Sequence, residues 1–503
     1  MTQQEAMKIL KMGYNVCLTG SPGSGKTFLL NKYIDFLKKE GVKVGATAST
    51  GIAATHISGV TIHSWSGIGI KNEISQKDIQ HLLKKRWLRK RLQNTKVLII
   101  DEMSMLPAHR LDLVNQIIQA FKSNHFQPFG GIQVVLSGDF FQLPPVSKKN
   151  EPPSYFINHS RAWEEMGLRV CYLDEQWRQT DQEYLTVLND IRTNSVSNQT
   201  VKLLQKQNRN GFNGSIKPPK FYTHNVDVEA ENKRELAKIQ TKSHRFIMES
   251  EGPEVLVNAL KQSCLASEEL VLKLNAPVLF LKNNFNKGYV NGTLGKVADF
   301  KEGEPIVKTT DKRYITVTPE EWNIEEDGVV KAKVTQLPLR LAWAITVHKS
   351  QGMNLDAAEI DLSRSFEPGM GYVALSRVRS LKGVHLKGFN DMAFQVNREA
   401  LELDRQLQSL SRQVAKRLST MPLQEQAKRQ KEFLSSLGIK DKTESYSVNQ
   451  IRQTHRSAYK KWTTEEEQTL IQLYQSGKTT KELAHILGRQ QGGISSRLRR
   501  LKK

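Results

Sequence analysis

The chain has 503 residues, of which 74 are Lys or Arg and 51 are Asp or Glu, for a formal net charge of +23. That length predicts two to four domains with real cores, and the excess of cations favours a polyanionic partner, nucleic acid above all. No apolar run reaches the roughly 20 residues that cross a bilayer, so no membrane partner is expected, and three scattered cysteines (Cys17, Cys171, Cys264) offer neither a disulfide framework nor a zinc cluster.

The first elements are the most informative. Met1 to Lys11 reads as an amphipathic helix, with Gln3 and Gln4 near its start. It leaves no room for a targeting peptide, and with the cysteine usage this fits a cytoplasmic chain. A glutamine just upstream of a nucleotide site can donate to and accept from an adenine edge; a solvated helix start is the plainer reading. Asn15 to Thr19 is a short buried strand. Gly20, Ser21, Pro22, Gly23, Ser24, Gly25, Lys26 and Thr27 follow, in the order of a phosphate-binding P-loop, and a helical period runs from Lys26 to Lys39. Strand, glycine-rich turn and helix start aim backbone N–H groups at a polyphosphate. Lys26 is placed to reach the outer phosphates of ATP, and the Thr27 hydroxyl to sit on Mg²⁺.

Val42 to Ala48 is a second strand. Thr50 and Gly51 open a further helix, and His63 and Ser64 lie in the run Thr61 to Trp65. Small residues and hydroxyls there suit a phosphate backbone as well as they suit tight packing. Between Lys71 and Lys96 six cations (Lys84, Lys85, Arg86, Arg89, Lys90, Arg91) surround Trp87. They are expected on an exposed inserted helix, either solvated or facing DNA.

Lys96 to Ile100 is an apolar strand that ends in Asp101 and Glu102. Carboxylates at a strand's carboxyl end, behind a P-loop, assign Asp101 to Mg²⁺ and Glu102 to the attacking water. A fourth strand, Gln133 to Ser137, runs into Gly138 and Asp139, with Gln142 three residues on, where its amide can lie near the γ-phosphate. Arg169 to Leu173 is read as opening a new β segment. Arg178 after it is either a surface residue or an arginine finger.

From about 225 to 335 the pattern is short strands and turns, with a turn signal at Asn291-Gly292, and a small β-barrel-like insert is expected. His348, Lys349, Ser350 and Gln351 close an apolar segment with groups that can hold a nucleic-acid backbone. Arg377 and Arg379 follow another apolar segment. Residues 396–458 read as a charged helical linker. Residues 459–503 read as three short helices, the last carrying Arg497 and Arg499, the pattern of a helix-turn-helix that binds duplex DNA or a protein.

Taken in order, GSPGSGKT (20–27), STGIAA (49–54), IIDEMSML (99–106), GDFFQLPPV (138–146), WRQTDQ (177–182), LAWAITVHKSQGM (341–353) and GYVALSRVRS (371–380) resemble the Pif-type helicases, close to RecD, in superfamily one. The resemblance covers about residues 1–395. It implies an α/β fold of two RecA-like P-loop NTPase domains, at 1–168 and at 169–225 with 335–395. A small basic wedge lies at about 70–96, and an SH3-like β insert, resting on KNNFNKGYVNGTLG, occupies 226–334. It implies an ATP- and Mg²⁺-dependent DNA helicase moving 5′ to 3′ on single-stranded and forked DNA, in replication, repair or recombination, as a monomer near the nucleoid. The alternative is a protein-displacing or regulatory DNA-bound ATPase. By position, the resemblance makes Gln3 the adenine reader, Gln142 the γ-phosphate sensor, and Arg178 and Arg377 arginine fingers. It places Thr50, Gly51, His63, Ser64 and 348–351 along the DNA. The chain departs from the pattern after EMSML, where Pro107 and Arg110 follow, and in its C-terminal helices.

Overall fold

The structure is a computed structural model and describes residues 1–503 apart from 70, 143, 146–153, 178–180, 210–215, 223–224, 285, 327–328, 348–349, 351–352, 440–451, 453–454 and 502–503; the side chains of 208–209, 225–227, 262–263, 325–326 and 329 are also outside the description. The chain forms two compact units, Met1–Gln430 and Lys431–Lys503.

Six strands make the first sheet: β1 (Val16–Gly20), β2 (Val44–Ala48), β3 (Val60–Thr61), β4 (Val97–Asp101), β5 (Gln133–Ser137) and β6 (Arg169–Leu173), in the order β3-β2-β4-β5-β1-β6. Every pairing is parallel. β1, β4 and β5 are buried at each position, because helices cover both faces; this is why they read as unbroken apolar runs. Parallel strands place all their carboxyl ends on one edge. There the P-loop leaves β1, Asp101 ends β4, and Asp139 follows β5.

β6 corrects an expected boundary. Arg169–Leu173 does not open the second domain; it pairs with β1 along its whole length, from Val16↔Arg169 to Gly20↔Leu173. The reading of 396–458 as a linker changes too. Helix Arg398–Thr420 lies against β6, where the Tyr172 amide donates to Ser411 Oγ at 3.0 Å and Leu403 and Leu407 enter the main core. A charged surface face hid an apolar stripe at helical spacing.

The second sheet has four parallel strands, in the order Ala344–Thr346, Lys220–Tyr222, Ala358–Leu362, Val384–Phe389. One hydrophobic cluster joins it to the first sheet, from Leu98 and Leu136 to Phe221 and Ile360. Two parallel sheets with covering helices are the α/β architecture expected of RecA-like domains.

Inserted in the chain between the second-sheet strands Lys220–Tyr222 and Ala344–Thr346, the β region holds antiparallel strands in three groups: five strands from Pro277 to Leu341, a three-stranded sheet, and the pair Ser243–Ile247 with Glu269–Lys273. It also holds the unexpected helix Glu254–Ser263. Helix Asn225–Ala237, read as β from the sequence, packs instead against Ala344–Thr346 of the second sheet; Asn232 Oδ1 accepts from the Ala344 amide at 3.1 Å. Asn291-Gly292 does turn, with Gly292 at φ 95°, but inside a longer connection.

The basic run 84–91 is not one exposed helix. It breaks at Lys85 between Gln76–Lys84 and Arg86–Asn94, and Leu82, Leu88 and Leu92 are buried in the main core. Lys84, Arg86, Arg89 and Lys90 remain exposed, whereas Lys85 and Arg91 are half-buried, the Arg91 guanidinium 4.8 Å from the centre of the Trp87 ring.

Among the described residues of the second unit, helices Thr464–Gln475, Thr480–Ile486 and Gln491–Leu501 pack around Leu470, Leu483, Ala484, Ile494 and Leu498. Thr463 with Glu466, and Thr479 with Glu482, form reciprocal caps at the first two.

Candidate functional site

The P-loop turns on glycines in the left-handed region, Gly23 at φ 89° and Gly25 at φ 85°. The helix after it, Lys26–Lys39, has no side-chain cap, so its first amides face the loop. Lys26 donates from Nζ to the carbonyls of Gly20 (2.8 Å) and Ser21 (3.1 Å), and burial lowers its pKa. The Thr27 hydroxyl lies 3.5 Å from Asp101 Oδ2. Asp101 is fixed by Ser137 Oγ (2.7 Å) and by the Glu102 amide (3.0 Å), and burial raises its pKa. A hydroxyl and a fixed carboxylate are oxygen donors of the kind Mg²⁺ takes, so these residues fit that ion.

Glu102 occupies the left-handed region at φ 52°, uncommon for a non-glycine residue. Its Oε2 is buried without a hydrogen-bond partner. Burial, then the charge of Asp101, pushes its pKa up to about 7, against the pull of Lys26 and Arg377. A carboxylate with one uncommitted oxygen and a pKa near neutrality is suited to take a proton from water.

Asp139, fully buried, shapes the turn after β5: its carboxylate accepts from the Phe141 amide and its carbonyl from the Gln142 amide. Gln142 is buried there. Arg377 is 1% exposed; Nε donates to the Val373 carbonyl (3.1 Å) and Nη2 to Ser376 Oγ (2.9 Å). Glu102 is the strongest nearby charge favouring its protonated form. Lys26, Asp101, Glu102 and Arg377 therefore belong to one electrostatic neighbourhood, with the Thr27 hydroxyl beside Asp101.

Gln3 donates from Nε2 to the Ser24 carbonyl at 3.3 Å. Trp177, which the sequence reading passed over beside Arg178, is 66% exposed and donates its backbone N–H to the Gly23 carbonyl at 2.9 Å. A methyl group placed on Gly25 would collide with Gln3 Nε2 and lie 3.4 Å from Trp177 Cδ1. An amide and an indole face thus meet beside the P-loop. A cavity of about 350 Å³ opens next to it, lined by Ser21, Pro22, Gln176, Arg192, Tyr372 and Asp404 among others. Arg192 was also passed over; nothing in its sequence neighbourhood marks it, since its partners come from distant segments.

The residues expected along DNA divide. Thr50 caps helix Gly51–His56 by accepting from the Ala53 amide, so part of its hydrogen-bonding capacity is local. Ser64 is exposed, whereas burial and the charge of Arg110 hold the His63 pKa down at about 4, leaving it neutral at pH 7. Ser350 is buried, with its hydroxyl donating to the Val347 carbonyl at 2.7 Å; it is a structural bond rather than a surface contact. Arg497 is paired with Glu467, while Arg499 is exposed. Arg178, His348, Lys349 and Gln351 lie outside the described residues.

Among the described residues, no helix is long and apolar enough to cross a membrane. The family model described as PIF1-like helicase matches residues 3–203, and that of the DNA helicase Pif1 2B domain matches 255–300. The "ATP-dependent DNA helicase Pif1" of Psychrobacter sp. is 44% identical over 82% of this chain and 71% of its own length. The human "ATP-dependent DNA helicase PIF1" is 36% identical over 78% of this chain, which spans 61% of that relative's length. The structure of Bacteroides sp Pif1 with ADP-AlF4 covers 81% of this chain and 96% of its own, at 32% identity and a TM-score of 0.71. The Bacteroides Pif1 complex with ADP-AlF3 and ssDNA gives the same identity and coverage, with a TM-score of 0.57. With the nucleotide-site geometry in place and a relative this similar over most of both chains, the protein belongs to the PIF1-like helicase family, enzymes named ATP-dependent DNA helicases.

Proposed function

We propose that the chain hydrolyses ATP to move 5′ to 3′ along single-stranded DNA and to part duplex DNA at a fork. One observation supports hydrolysis coupled to motion: Lys26, Asp101 and Glu102, at the edge of the first sheet, share a buried electrostatic neighbourhood with Arg377, which follows a helix packed with the second. The P-loop amides and Lys26 hold the phosphates. Thr27 and Asp101 would hold Mg²⁺, which would neutralise phosphate charge. Glu102 accepts the proton of the attacking water. Gln142 contacts the γ-phosphate, and Arg377, released from Ser376, balances the charge that builds on the transferred group. Loss of the γ-phosphate frees both residues, so the two sheets move relative to each other and the DNA is drawn along.

The exposed cations of 84–91 and Ser64 supply backbone contacts, and neutral His63 supplies a hydrogen bond rather than a charge. The C-terminal helices add a duplex-DNA contact through exposed Arg499. The enzyme works as a monomer beside the cytoplasmic nucleoid, in replication, repair or recombination. Solved relatives bound to ssDNA support a DNA track for this chain.

The deciding experiment is unwinding of matched 5′- and 3′-overhang duplexes, with and without residues 459–503. Unwinding from the 5′ overhang alone is expected. Unwinding from the 3′ overhang, or ATP hydrolysis indifferent to DNA, overturns the reading. Displacement of a bound protein without strand separation points instead to a translocase.

A further inference from the structure

We propose that Arg192 is a positioning residue for ATP hydrolysis, and that Asp404, on the helix that follows the second sheet, helps to set its place. This rests on the proposed roles of Gln142 and Arg377. Arg192 ends the helix Gln182–Arg192 and is 6% exposed, between two carboxylates that are themselves buried. From Nη1 it donates to both oxygens of Asp139 (3.0 Å each) and to the Tyr372 hydroxyl (2.8 Å). From Nη2 it donates to Asp404 Oδ1 (2.9 Å) and to the Tyr172 hydroxyl (3.1 Å). Its guanidinium lies 4.1 Å from the centre of the Phe141 ring.

Each partner belongs to a different segment. Asp139 shapes the turn that ends at Gln142. Tyr372 lies on helix Met370–Leu375, with Arg377 two residues past its end. Tyr172 is on β6, and Asp404 is on helix Arg398–Thr420, steadied by Gln408 Nε2 at 2.7 Å. The Phe141 and Tyr372 rings also meet edge to face, 6.1 Å apart. A planar, always-charged fork can tie four segments together where a lysine, with a point charge, cannot. Displacing it therefore shifts the Gln142 turn and the Arg377 helix together. Asp404 makes the C-terminal helix part of the catalytic support and not only a cover for β6.

The test is a set of double-mutant cycles on the full chain, read as kcat and KM for ssDNA-stimulated ATP hydrolysis. Asp404→Asn, nearly isosteric, is expected to lower kcat about tenfold with KM within about twofold, and Tyr172→Phe to lower it less, because orientation and not ATP binding is lost. Combined with Gln142→Ala or Arg377→Ala, either variant should add little to the loss that Gln142→Ala or Arg377→Ala causes alone. Losses that multiply independently, or a lowered thermal midpoint with unchanged kcat, overturn the role of Arg192 and Asp404. Should Asp404→Asn fail to fold, the Tyr172→Phe cycles decide the matter in the same way. Unchanged kcat in both Gln142→Ala and Arg377→Ala overturns the reading of the site itself.

Discussion

Lys26 donates from Nζ to the Gly20 carbonyl at 2.8 Å, so the P-loop lysine is held by the backbone of its own loop. The bond holds the ammonium at the loop, within the field of Asp139, Glu102 and Asp101. Lys26→Ala is expected to lower ATP hydrolysis by about 10²–10³-fold, the usual effect of removing one preorganised donor from a transition state. Binding of single-stranded DNA should survive. Phosphate release and fluorescence anisotropy with a labelled oligonucleotide check both halves.

Glu102 makes pH the next lever. Its carboxyl is pushed up to about 7 from an ordinary 4.5. As the base it works only when ionised, so kcat should climb as pH rises through about 7, and Glu102→Gln should abolish activity at every pH. The stability effect has the opposite sign. Between pH 4.5 and 7 the unfolded chain gives up this proton more readily than the folded one, so ionisation increasingly favours unfolding. Glu102→Gln should therefore raise the thermal midpoint at pH 8 by about 2–4 °C and leave it unchanged at pH 4. A scan of melting temperature against pH in the two proteins tests this.

Gln3 and Trp177 both close on Gly25. Trp177→Ala is expected to raise KM for ATP about tenfold, the order of one lost base–aromatic stack, with a smaller effect on kcat. Gln3→Ala should weaken the preference for ATP over GTP, because an adenine edge loses its paired donor and acceptor. Gly25→Ala should be worse than either. It strains a backbone at φ 85° by about 1–2 kcal/mol and displaces the Gln3 amide. Steady-state kinetics with the two nucleotides separate these outcomes.

The second unit depends on Arg489. Its guanidinium lies 4.1 Å from the centre of the Trp462 ring, donates to Glu466 Oε2 at 2.7 Å, and bonds the Lys460 and Lys461 carbonyls. Arg489→Ala removes a buried guanidinium and its charge-assisted bond to the partly exposed Glu466, and should destabilise the three helices by about 1.5–3 kcal/mol. Limited proteolysis should then cut within 459–503, with ssDNA-stimulated ATP hydrolysis unchanged.

The nucleotide half of the site was legible because its signals are local. A P-loop is one strand, one turn and one helix start, and Asp101-Glu102 follows directly on the apolar run of β4. The order of motifs also pointed to the family. Boundaries were less legible: Arg169–Leu173 has the same composition whether it ends one sheet or begins another, and only its pairing with β1 decides. Exposure was misjudged where it depends on distant neighbours. Ser350 looked like a DNA contact in a polar run, yet the fold buries it completely. The basic stretch at 84–91 looked free, yet its leucines are in the core.

By itself, then, the sequence pointed to a nucleotide site and to its candidate residues around the first sheet, because short-range geometry and residue chemistry suffice to mark a P-loop and an acidic strand end. Only the tertiary structure decided how those residues are held and sensed. Arg192 meets Asp139, Tyr172, Tyr372 and Asp404 across as many as 212 positions of chain. Glu102 acquires a pKa near 7 from burial that no local pattern encodes. A buried charge takes its properties from whatever the fold brings to it, and that is a matter of packing rather than of spacing.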